Sequence, residues 1–79
     1  MSNLEKYNKT FIEVFELKES DLGNTLVYQS IPQWDSVGHM ALMASLEETF
    51  EIMMDTDDII DFSGYEKGKE IMAKYDVRI

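Results

Sequence analysis

The sequence predicts an all-α fold, a small antiparallel four-helix bundle with a long first loop and a short third helix. Three observations predict it. Apolar residues recur at three- and four-residue steps in two long stretches. No stretch shows the alternation of a half-buried strand. Turn and cap signals divide the 79 residues into four helical segments. Residues 1–79 read as a single domain, since domains run to about 50–250 residues. A chain of this size buries only about 60% of its unfolded surface, so a deep cavity enclosed by several layers is not expected.

Residues 3–17 read as the first helix. Leu4, Tyr7, Phe11, Val14 and Phe15 gather on one face. Ser2 or Asn3 caps its start, and Lys18 falls where a cation suits the negative end of the helix dipole. Residues 18–35 drop that period. Gly23-Asn24 is a turn signal, and Pro32 biases Ile31 toward extended backbone. This loop still carries Leu22, Leu26, Val27, Tyr28, Ile31 and Trp34, which predicts that it lies across the core.

Residues 36–51 read as the second helix, with His39, Leu42, Met43, Leu46 and Phe50 as its core line. A second line, Val37, Met40, Ala41 and Ala44, runs into Glu47, Glu48 and Glu51. Two readings of that line stay open, a second packed seam and a docking surface. Ile52-Met53-Met54 is a short link. Asp55 or Thr56 caps a brief third helix through Phe62, with Asp57 and Asp58 near its positive end. Ser63-Gly64-Tyr65-Glu66 matches the capping box of a fourth helix that buries Ile71, Met72 and Tyr75.

Seven basic and sixteen acidic residues give a net charge of −9. Phosphate binding runs on Lys and Arg, so neither nucleic acid nor an anionic membrane surface is an expected partner. From Lys18 to Lys67 there is no basic residue, while acids recur throughout. That distribution reads either as a solvated surface or as a one-signed middle that steers basic partner proteins. No apolar run approaches the ~20 residues of a membrane span, and Met1-Ser2-Asn3-Leu4-Glu5-Lys6 lacks a signal-peptide core. The expected location is the cytoplasm. The absence of cysteine excludes disulfides, zinc–thiolate sites and thiol nucleophiles. A single histidine, His39, excludes a multi-histidine metal site within one chain.

Most catalytic constellations fail on inspection. There is no Gly-rich phosphate loop. Asp55, Asp57 and Glu66 match positions 1, 3 and 12 of a calcium loop, but Ile59 stands where a ligand is needed and Ile60 where glycine makes the turn. Asp35, Ser36 and His39 are the residue types of a hydrolase triad, yet they crowd one helix start with no second element to build an oxyanion hole. His39 also lies on the core line, where a packed histidine explains it. Ser36 remains. Asp35 or Ser36 serves as an N-cap. The same geometry exposes a hydroxyl at a helix N-terminus, where unsatisfied amides stabilise a phosphate.

Trp34-Asp35-Ser36-Val37-Gly38-His39-Met40, followed by Leu46-Glu47-Glu48-Thr49-Phe50-Glu51-Ile52, resembles an acyl carrier protein. That family carries an Asp-Ser-Leu-type motif at the start of its second helix and a Glu-Glu-x-Phe-x-Ile segment near its end. The resemblance covers essentially the whole chain. It implies that Ser36 receives 4′-phosphopantetheine from coenzyme A through a separate, magnesium-dependent phosphopantetheinyl transferase, with Asp35 positioning the serine. The arm's thiol then holds an acyl or aminoacyl group as a thioester, so the reactive sulfur is imported. The chain is then no enzyme but a monomeric carrier and a substrate of others. Acyl- or aminoacyl-loading and transfer enzymes with basic patches dock on Val37, Met40, Ala44, Glu47 and Glu48. Val37 stands where fatty-acid carriers usually have Leu, and no acid follows Ser36 until Glu47. With Trp34, these departures point to a specialised member rather than a housekeeping fatty-acid carrier.

Met43, Met53, Met54 and Met72 are adaptable fillers that either shelter an acyl chain or simply pack the core. Apart from the carrier, the alternative is an unmodified acidic helical protein that binds or inhibits a basic partner.

Overall fold

The computed structural model describes residues 1–79. Four helices follow in order, α1 (Asn3–Phe15), α2 (Ser36–Phe50), α3 (Thr56–Asp61) and α4 (Tyr65–Ala73), with a 3₁₀ turn at Glu19–Asp21 inside the first loop. There is no β-sheet, only an isolated antiparallel bridge between Val27 and Gly64. No helix is long and apolar enough to cross a membrane.

Ser2 caps α1. Its hydroxyl accepts from the Glu5 amide while the Glu5 carboxylate accepts from the Ser2 amide, so two orphan donors are satisfied together. The bond from Ser2 is also what holds the Glu5 carboxyl below its usual pKa range. α1 and α2 end alike. Glu16 and Glu51 both turn into the left-handed region, at φ 55° and 54°. The next residue then folds back: Leu17 donates to the Ile12 carbonyl and Ile52 to that of Glu47. This reversal ends α1 two residues before the periodicity suggested, and Lys18 is no longer in its last turn but opens the 3₁₀ turn instead.

The core joins Tyr7, Phe11 and Phe15 of α1 to Leu42, Met43 and Leu46 of α2, Tyr65, Ile71 and Met72 of α4, and Trp34, Phe62 and Met54 between helices. Phe11 sits at its centre, with the rings of Trp34 and Tyr65 edge-on at 5.7 Å and 5.3 Å. Leu4, expected on the buried face, is 41% exposed, whereas Tyr7, Phe11 and Phe15 further along that face are buried. Met53 is also exposed, since the α2–α3 link turns Met54 inward in its place. Tyr7 is fully buried and donates to the Tyr65 carbonyl at 2.7 Å; burial holds its phenol far above the usual range.

The first loop crosses the core as its apolar content predicts, burying Leu26 and Trp34. It is fastened to the start of α4 by two main-chain bonds, Tyr28 N–H to the Ser63 carbonyl and Tyr65 N–H to the Leu26 carbonyl, both 2.8 Å. The predicted capping box at Ser63 therefore does not form. Gly64 is the N-cap, and a loop carbonyl takes the first helical amide instead of a serine hydroxyl.

Candidate functional site

Ser36 is the first residue of α2 and is exposed. Asp35, immediately before it, is the N-cap, and its Oδ1 accepts from the Gly38 amide at 2.8 Å. Capping thus falls to the aspartate and leaves the serine hydroxyl out of the helix bonding. Gly38 is explained by the loop. A Cβ there would lie 1.9 Å from the Gln33 carbonyl oxygen. The Gln33 side chain, in turn, donates to the Phe15 carbonyl at the end of α1, at 2.9 Å. A residue that is a poor helix former is here the one that lets the loop pass against the helix presenting Ser36.

Behind Ser36 stands His39, half-buried. Trp34 Nε1 donates to His39 Nδ1 at 2.9 Å. An indole N–H only donates, so Nδ1 is the acceptor and the imidazole proton sits on Nε2. Nε2 then donates to the Ile59 carbonyl of α3 at 2.7 Å. Both ring nitrogens are engaged, which removes His39 from any triad with Asp35 and Ser36. It is the packed histidine expected from its place on the core line.

A cavity of about 380 Å³ opens beside Ser36, between α2, α3 and the first loop. Tyr28, Ser36, His39, Met40, Ile59 and Ile60 line most of it, with Phe62 and Ser63 completing the wall. The Tyr28 phenol and Ser36 Oγ are 3.1 Å apart, within hydrogen-bonding distance. Tyr28, Ile60 and Ser63 were not legible as site residues. They become neighbours of Ser36 only through the packing of loop and α3, and no spacing signal announces that.

The second line of α2 faces solvent and is not a packed seam. Val37 is 79% and Met40 55% exposed, and Ala41, Ala44 and Glu48 are exposed as well. Ile60 of α3, 72% exposed, adds an apolar side chain on the far rim of the cavity. Glu47 differs from its expected companions. It is half-buried, and Oε2 accepts from the Met54 amide at 2.9 Å, so it shapes the α2–α3 link.

The α3 wall is held from its other side. Asp58 accepts from Lys74 Nζ at 2.8 Å and from the Tyr75 hydroxyl at 2.5 Å, and Tyr75 Oη accepts from the Asp55 amide at 2.9 Å. The hydrogen bonds from Lys74 and Tyr75 hold the Asp58 carboxyl below the usual carboxylate range; the bond to Asp58 raises Lys74 and Tyr75 above theirs. Asp55, Asp57 and Glu66, the calcium-loop pattern, do not converge into a metal-ligand cluster.

No protein family, curated protein or solved structure matches the chain.

Proposed function

We propose that this chain is an acyl carrier protein, a single carrier domain with the antiparallel bundle of that family, acting in the cytoplasm on a 4′-phosphopantetheine arm attached to Ser36. The observation that carries the reading is the exposed Ser36 hydroxyl at the first position of a fifteen-residue helix whose cap is supplied by its neighbour Asp35. The site suits the group. With the Gly38 amide taken by Asp35, the Ser36 and Val37 amides at the start of α2 are left to favour an anion placed at Ser36 Oγ. The cavity beside Ser36 and its apolar rim of Met40 and Ile60 offer shelter at the root of an arm.

In loading, Ser36 Oγ forms a bond to the phosphorus that bears the pantetheine. The pyrophosphate P–O bond of coenzyme A breaks, 3′,5′-adenosine diphosphate leaves, and the serine proton passes to a base on the transferase. When bound, the arm supplies a thiol that carries an acyl or aminoacyl group as a thioester. The chain's own part is to present Ser36, to hold its helix rigid and to dock. Val37, Met40 and Ala44 give partners an apolar strip, and Glu48, with Glu47 behind it, gives a negative edge that draws basic patches. An arm that must visit several enzymes gains from attraction that speeds encounter without a tight complex.

Incubation with a broad-specificity transferase, coenzyme A and magnesium, followed by intact mass, tests the reading. The wild type gains one phosphopantetheine and Ser36→Ala gains none. A wild type of unchanged mass would leave the unmodified acidic binder in its place.

A further inference from the structure

The hydrogen-bond partner of Ser36 Oγ is the Tyr28 phenol, at 3.1 Å. Because Asp35 caps α2, the helix does not itself choose among the three staggered positions open to the serine hydroxyl. Tyr28, by contrast, is tied down. Its amide donates to the Ser63 carbonyl at 2.8 Å. Its ring meets that of His39 edge-on, at 5.5 Å between centroids and 79° between planes. His39 is itself fixed between Trp34 and the Ile59 carbonyl. The phenol is therefore a set point at the cavity mouth, eight residues from the serine it touches.

We propose that Tyr28 is the positioning residue of this site, its hydroxyl selecting the one Ser36 rotamer that directs Oγ to the cavity mouth. The proposal rests on the carrier reading for its use. Holding the nucleophile in a single orientation removes a search from the loading step. The pair can be bonded either way while Ser36 bears its proton. Once Oγ is esterified it has no proton to give, and Tyr28 acts only as donor. The same contact thus sets the direction in which the arm leaves the helix, along the cavity rather than away from it.

Tyr28→Phe keeps the ring against His39 and removes only the hydroxyl. Two measurements follow. In the unloaded protein, three-bond Hα–Hβ couplings of Ser36 show one dominant rotamer in the wild type and averaged values in Tyr28→Phe. In loading, Tyr28→Phe lowers kcat about 5-fold, the effect of one hydrogen bond, with KM for the carrier unchanged. A purely structural role would move the melting temperature or KM instead. Averaged couplings in the wild type, or loading of Tyr28→Phe at the wild-type kcat, overturn the proposal. A wild type with one locked rotamer that takes up no mass shows a different failure: the carrier reading falls, and the role of Tyr28 in loading falls with it.

Discussion

Trp34 and His39 form a hydrogen-bonded pair in which the indole Nε1 donates to the imidazole Nδ1 at 2.9 Å, beneath the start of α2. The indole is fully buried, so its N–H has no water to turn to. Through Nε2 the same imidazole reaches the Ile59 carbonyl, and one side chain thereby joins the loop, α2 and α3. His39→Leu keeps the apolar contacts and strands both partners. We expect it to cost about 2 kcal/mol, the penalty of leaving a buried polar group unpaired. Trp34 is the sole tryptophan, so its fluorescence reports the change without interference. Urea melts matching the wild type would show that the pair contributes nothing.

Replacing a helical glycine by alanine normally stabilises a helix by about 1 kcal/mol. Here the sign reverses. A Cβ on Gly68 of α4 would lie 2.2 Å from the Tyr7 hydroxyl and 2.2 Å from Phe62 Cζ, both in the packed core. Gly68→Ala should therefore destabilise by about 1–3 kcal/mol, as overpacking does. Gly38→Ala would press on the Gln33 main-chain carbonyl, which cannot swing aside as a side chain can. It should lower the melting temperature and, on the proposed carrier function, the rate of loading at Ser36. Thermal denaturation of the two variants is decisive; a rise in melting temperature for either would contradict the close approach.

The Asp58–Lys74–Tyr75 cluster makes stability depend on pH at both ends of the scale. Asp58 is held below the usual range, so its contribution is complete above the ordinary aspartate pKa and is lost as pH falls through the lower folded value. Lys74 and Tyr75 are raised, so theirs is complete below their ordinary pKa values and is lost as pH climbs through the higher folded ones. Asp58→Asn removes the acid limb. The gap in melting temperature between wild type and variant should therefore close as pH drops below about 4. A gap that stays constant through that window would mean the carboxylate is not stabilised by its partners.

Glu48 is exposed beside the apolar strip of α2, where a charge affects association more than folding. Glu48→Lys should leave the melting temperature unchanged and, on the proposed carrier function, slow association with a phosphopantetheinyl transferase about 10-fold at low salt. Raising the ionic strength should narrow the difference, because the Debye length shrinks from about 10 Å at 0.1 M to about 3 Å at 1 M. Stopped-flow association at several salt concentrations measures both. An on-rate indifferent to salt would remove the acidic edge as a docking determinant.

Much of the fold was readable along the chain. The steps from Tyr7 to Phe15 and from Leu42 to Leu46 are local periods, and α1 and α2 follow them. Asp35 ahead of Ser36 is a cap signal read over three residues, and the structure uses it as such. Local pattern falls short where one segment's fate depends on another. Leu4 has the right period and is nonetheless exposed. Ser63 had the right capping spacing, yet the first loop took its place with the Leu26 carbonyl.

Read along the chain alone, the residues set four helical segments, an acidic middle without basic residues, and a serine at the start of the second helix. These follow from interactions that reach only three or four residues along the chain, which a linear reading can see. It takes the packed fold to require glycine at position 38, to bring Ile60 and Tyr28 beside Ser36, to leave the second line of α2 in solvent, and to latch Asp58 to Lys74 and Tyr75. Each of those depends on how the loop, α3 and α4 pack against one another, and packing between segments distant in sequence leaves no period to read.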